Sequence, residues 1–176
     1  MVENYILIIP SILLALTVHE FSHAWMAYKF GDPTSKMLGR LSLNPFIHLD
    51  PIGTIMLFLV GFGWAKPVPV DLRYFANPKR MMLWVALAGP LSNIFLAFIF
   101  GLLIVFFSTS NLMYNQNTAI IGNILVYSLQ INLALAFFNM FPIPPLDGSK
   151  ILRGILSYKF DNFLNQLQQS GPFILI

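Results

Sequence analysis

Residues 15–28 read ALTVHEFSHAWMAY, an apolar stretch carrying three ionisable side chains, His19, Glu20 and His23. On a helix, His19 and His23 stand about 40° apart and about 6 Å along one face. Two imidazoles so placed can grip one metal ion, and Glu20 beside them can take a proton from water that the ion activates. With three histidines and two glutamates in 176 residues, HExxH would arise by chance roughly 0.0006 times, so the pattern is specific. Two buried histidines satisfied by neighbouring helices are the alternative. That leaves a carboxylate in an apolar helix, at a cost of about 2.5–3.5 kcal/mol near its centre. A bound dication offsets the cost and keeps the glutamate ionised.

A hydrolytic zinc site takes three protein ligands and leaves the fourth position to water. The other acids are Glu3, Asp32, Asp50, Asp71, Asp147 and Asp161, and the other histidine is His48. Glu3 falls at the far end of the first apolar run and Asp161 in a polar tail. Asp147 lies in NMFPIPPLDG, just past the third apolar run, where prolines break the helix. Broken helices at membrane depth are tolerated where they line protein or water, so Asp147 is the expected third ligand. Asp50 and His48, in NPFIHLDPIG, compete for the role, although turn and cap chemistry accounts for them. Ser128, Asn132 and Asn139 fall at about 0°, 40° and 20° around the third run, one polar stripe leading toward Asp147. Either interhelical hydrogen bonds or a water-lined cavity beside the metal would explain it. In AGPLSN, Gly89 and Asn93 sit at i, i+4; small residues there mean close packing, and Asn93 could also reach the site.

The elements that must hold these groups are membrane spans. The chain is 57% hydrophobic and 10% charged, with a mean hydropathy of +0.72, whereas soluble domains carry about 25% charged residues. A net charge of +3 does not indicate a nucleic-acid partner, because the basic residues flank apolar runs instead of forming one patch. The absence of cysteine excludes disulfides and thiolate metal sites. Three segments reach the roughly 20 residues a span needs: about 5–28, 81–107 and 118–141. The first lacks a basic flank and a cleavage site, so it reads as a retained span. A fourth run, PIGTIMLFLVGFGW, is short and glycine-rich. If it does not cross, all ten cations, from Lys29 to Arg80 and from Lys150 to Lys159, share one side. The positive-inside rule then puts the N-terminus outside and the basic loops and tail in the cytoplasm. The expected fold is an all-α polytopic membrane protein, a three-span helical core with a re-entrant, partly β segment over 51–72. The re-entrant run would pack against protein, and GWAKPVPVDL, whose prolines exclude a central strand, would form an edge strand or extended loop. DNFLNQLQQS reads as a short surface helix, and GPFILI as the opening of a further apolar segment. His23 lies eight residues before Gly31, about 12 Å from the cytoplasmic end of the first span, so the site is submerged but nearer the cytoplasm.

Together these residues resemble the site-2 protease family of intramembrane zinc metalloproteases. HEFSH matches its HExxH and NMFPIPPLDG its NxxPxPxLDG-type motif, while LNPFIHLDPIGT and AGPLSN are similar to patterns of its small prokaryotic members. The resemblance runs from about residue 10 to 160, and no PDZ-like or CBS-like domain accompanies it. It implies one zinc ion held by His19, His23 and Asp147, with Glu20 as catalytic acid/base. It also implies that Asn139 lies near the site and assists substrate or transition state, and that a re-entrant β-hairpin beside the core steers the substrate, which an extended edge could do by adding the unwound substrate as a strand.

The expectation is one membrane-embedded domain, residues 1–176, with the lipid bilayer around it. It hydrolyses peptide bonds within or near transmembrane segments of membrane-protein substrates. Asn139 and, secondarily, Asn93 are the candidate oxyanion donors. A catalytically silent relative acting as a membrane chaperone and a zinc transporter are the rivals. The first usually loses a ligand or the acid/base, and all four groups are present here. The second needs a polar route that YILIIPSILLAL does not offer.

Overall fold

Long unbroken apolar runs satisfy their backbone only as helices when water is absent, and three such helices form the body of the protein. The computed structural model describes residues 2–60, 63–110 and 119–174. Helix α1 spans Val2–Lys29, α2 Thr34–Met37, α3 Pro51–Val60, α4 Pro78–Thr109, α5 Ala119–Asn139, α6 Asp147–Ile155 and α7 Asp161–Ile174. Leu7–Lys29, Pro78–Thr109 and Ala119–Asn139 are long and apolar enough to cross a membrane. They agree with the three expected spans to within a few residues, although residue 118 and most of the loop between α4 and α5 lie outside the described residues. The polar tail is helical, as α7, and the last two residues of GPFILI also lie outside the described part.

Helix α4 packs against α1, α5 and α6, and α1 also packs against α5. The buried residues of α1 include Ser11, Ala15, His19, His23 and Ala27; those of α4 include Val85, Gly89, Asn93 and Ala97. Both rows repeat every four residues, the ridge by which helices interlock. Most of these side chains are small or polar, while Leu91, Phe95, Phe98, Leu102 and Phe106 on α4 face outward. Large apolar groups outside and small or polar ones inside are what a bundle solvated by lipid needs. At the end of α1, Gly31 takes a positive φ of 98°, which lets Asp32 N–H bond Ala27 O at 3.0 Å and turns the chain sharply.

The partly β, re-entrant reading of 51–72 is corrected. Among the described residues there is no strand, only an isolated antiparallel bridge between Leu49 and Ala65. The apolar run is helix α3, started by Pro51 and by Asp50 Oδ1 accepting from Gly53 N–H at 2.8 Å. The bridge and the bond from Lys66 N–H to His48 O, 2.8 Å, bring both ends of the excursion together. The physical reason for the missing ladder lies in 66–71. Prolines remove the donors at 67 and 69, and side chains take several of the remaining groups. The Arg40 guanidinium donates to the carbonyls of Ile47, Lys66 and Pro67. Ser35 Oγ donates to Pro69 O at 2.6 Å, and Asp71 N–H bonds Asp32 Oδ2 at 2.8 Å. The segment is a strap held by side chains.

Arg40 is 5% exposed and, among the described residues, pairs with no carboxylate. Its removal leaves three partly buried backbone carbonyls without this donor, so Arg40→Met is expected to cost about 3 kcal/mol and to speed hydrogen exchange at 64–71. Arg40→Lys is expected to rescue little, since an ammonium cannot fork across the two backbone segments. Thermal unfolding in detergent and amide exchange check both.

Candidate metal centre

The first helix supplies two imidazoles one turn apart, and the N-terminus of α6 supplies a carboxylate. His19 Nε2 lies 3.0 Å from His23 Nε2, and Asp147 Oδ2 lies 3.1 Å from the former and 2.9 Å from the latter. His19 and Asp147 are 128 positions apart in sequence, and all three residues are buried. The prolines of 142–145 end α5 and redirect the chain so that α6 begins at Asp147. Gly148, next to it, allows the tight approach: a Cβ there would come within 2.3 Å of the Phe141 and Met140 carbonyl oxygens. Lys150 Nζ donates to Asp147 Oδ1 at 3.0 Å, which leaves Oδ2 for the centre. Burial opposes the charge on the Asp147 carboxylate, and the Lys150 ammonium favours it.

The outward nitrogens of both rings are committed. His23 Nδ1 donates to Val85 O at 2.7 Å, and a backbone carbonyl only accepts. His19 Nδ1 lies 2.6 Å from Asn93 Oδ1, another acceptor. With hydrogens on both Nδ1 atoms, the two Nε2 atoms offer lone pairs. Three acceptors this close repel unless a proton or a cation lies among them. A tetrahedral ion with bonds of 2.0–2.1 Å separates its donors by about 3.3 Å, close to what is observed. The donor set fits zinc.

Helix α4 forms the floor. Val85, Gly89 and Asn93 succeed one another at four-residue steps: the first takes the His23 hydrogen, the last takes that of His19, and the middle one leaves room. A Cβ on Gly89 would stand 2.5 Å from His23 Nε2 and 2.6 Å from His19 Cε1 and Nε2. In sequence, AGPLSN reads mainly as a packing motif. Its i, i+4 spacing of Gly and Asn was the available signal, but which helix it faced was not legible.

Glu20 is also buried, at 9% exposure, and its Oε2 accepts from Val68 N–H at 3.2 Å. The strap thus touches the carboxylate beside the His19–His23–Asp147 cluster. Its backbone is already bonded to Glu20, Arg40, Ser35 and Asp32, so these positions are not a free edge for a substrate strand. The stripe on α5 divides. Ser128 and Asn132 are buried and bonded to protein: Ser11 and Ser128 hydroxyls meet at 2.8 Å, and Asn132 Oδ1 accepts from Asn93 Nδ2 at 2.9 Å. Interhelical bonding, not a water-lined wall, accounts for those two. Asn139 Nδ2 donates to Leu135 O of its own helix at 3.1 Å and is partly exposed. His48 lies apart from the centre, with Nε2 donating to Ser42 O at 2.8 Å. Asp50 caps α3.

The sequence matches the profile of Peptidase family M50 over residues 7–175. The chain belongs to this family, the site-2 proteases. Among M50 relatives, YwhC of Bacillus subtilis (strain 168) is 43% identical over 170 residues, 96% of this chain and 78% of that protein. Rip2 of Mycolicibacterium smegmatis is 31% identical over 178 positions, 98% of this chain and 66% of its own length. MJ0611 of Methanocaldococcus jannaschii is 48% identical over 136 residues, 77% of this chain and 63% of that protein. All three are provisionally named zinc metalloproteases. The chain spans less than two thirds of the length of Rip2 and MJ0611. No solved structure matches it.

Proposed function

We propose that the chain is one membrane-embedded domain acting as an intramembrane zinc endopeptidase, with His19, His23 and Asp147 as ligands of one zinc ion and Glu20 as acid/base. The observation that carries this reading is the convergence of three buried lone-pair donors on one point, beside a carboxylate on the same helical turn. When bound, zinc supplies Lewis acidity toward water and the scissile carbonyl. Glu20 takes the proton from the attacking water and delivers it to the leaving amine. Val68 N–H engages Oε2 and leaves Oε1 open to the proton. The strap holds that carboxylate in one orientation, and α4 holds the imidazoles. Asn93 has both amide hydrogens engaged, by Ala15 O and Asn132 Oδ1. Asn139 is therefore the better oxyanion donor of the two, at the cost of its bond to Leu135 O.

The substrates proposed are membrane proteins whose spans unwind locally, since a helix hides its carbonyls in its own hydrogen bonds; glycine, proline or asparagine near the bond eases this. Lys29 at the end of α1, Lys79 and Arg80 at the start of α4, and Lys150 and Arg153 on α6 support a cytoplasmic face there and an outer N-terminus.

Metal removal tests the reading. In proteoliposomes carrying single-span reporter peptides with such residues, cleavage is expected to stop on chelation and to return with zinc. Cleavage that persists after complete zinc removal would overturn it.

A further inference from the structure

Asn93 and Asn132 are completely buried in a bundle of apolar helices, and proton transfer by Glu20 does not require either. Their orientations are fixed in sequence by atoms that can only accept. Ser128 O on α5 receives Asn132 Nδ2 at 2.8 Å. The other end of that amide, Oδ1, therefore faces Asn93 and accepts from its Nδ2 at 2.9 Å. Ala15 O on α1, 3.1 Å from Asn93 Nδ2, imposes the same orientation independently. Asn93 Oδ1 is thereby turned to His19 Nδ1 at 2.6 Å. An oxygen with no hydrogen facing a ring nitrogen requires that nitrogen to carry the hydrogen. The lone pair of His19 then stands on Nε2, toward His23 and Asp147. His23 needs no such relay, because Val85 O does the same directly.

We infer that Asn93, backed by Asn132, is a positioning residue that locks His19 in the Nδ1–H tautomer and so sets the zinc affinity of the centre. The inference rests on the zinc reading above and adds a role for two residues outside the ligand set. It runs across three helices: carbonyls on α5 and α1 fix an amide on α4, which fixes an imidazole on α1. Outer partners of metal-bound histidines typically change affinity by about 10–100-fold when removed.

The test uses full-length protein in detergent, with zinc affinity measured by chelator competition and histidine tautomers by ¹⁵N NMR of histidine-labelled protein. Asn93→Leu is expected to weaken zinc about 10–100-fold and to shift the His19 signal alone. His23, held by a backbone carbonyl, is the internal control. Asn93→Asp keeps an acceptor at the same atom, so it is expected to hold zinc within several-fold of wild type while lowering the unfolding temperature. Asn132→Leu is expected to lie between, because Ala15 O still orients Asn93. Should Asn93→Leu fail to fold, the other two variants carry the comparison. Wild-type affinity and an unmoved His19 signal in folded Asn93→Leu would overturn the inference. So would equal loss of zinc in all three variants with both histidine signals moving together, which marks a structural role. Absence of zinc from folded wild type is a different result and removes the zinc reading itself; the His19 tautomer in metal-free protein still reports the relay.

Discussion

Gly89→Ala is expected to abolish tight metal binding while leaving the bundle folded. Alanine favours a helix over glycine by about 1 kcal/mol, so local propensity rises. The added methyl, however, meets His23 Nε2 at 2.5 Å and His19 ring atoms at 2.6 Å. These are not the free ends of flexible chains. Each ring is pinned on its far side, His23 by Val85 O and His19 by Asn93 Oδ1. The rings must break those bonds or swing out of the position in which three donors meet, and either way zinc affinity should fall about 100-fold or more. Gly101→Ala on the same helix is the control. Its Cβ would meet nothing within 4 Å, so it should keep zinc and activity and gain slightly in stability. Equal zinc affinity in both variants would show that α4 does not floor the centre.

Glu20→Gln is expected to remove cleavage and keep the metal. Glutamine matches glutamate in shape and can still accept from Val68 N–H, so the strap should remain in place. What it loses is the ability to take a proton, a contribution of about 10²–10⁴ in rate. Zinc content should be unchanged, because Glu20 is not among the converging donors. Single-turnover cleavage of a reporter span and zinc content, measured on the same preparation, check the two halves. Retained cleavage in Glu20→Gln would exclude it as acid/base.

HExxH was legible because helical periodicity alone puts His19 and His23 on one face. Asp147 was legible because the prolines before it announce a helix end. The three spans were legible from length and hydropathy. The work of Gly89 and Asn93 was not, since i, i+4 small-residue spacing reports close packing without naming the partner helix; only the α1–α4 crossing shows that the partner is the histidine pair. The strap misled for a different reason. Alternating valine and proline resembles an edge strand, but a strand needs free backbone groups. Arg40, Ser35, Glu20 and Asp32, remote in sequence, take several of them instead.

The most direct measurement of the central claim is zinc per chain in detergent-purified wild type, Glu20→Gln and Asp147→Ala. About one zinc is expected in the first two, since three protein donors make one site, with loss in Asp147→Ala. Folded wild-type protein that binds no zinc, or Asp147→Ala that binds as much as wild type, would contradict the His19–His23–Asp147 centre.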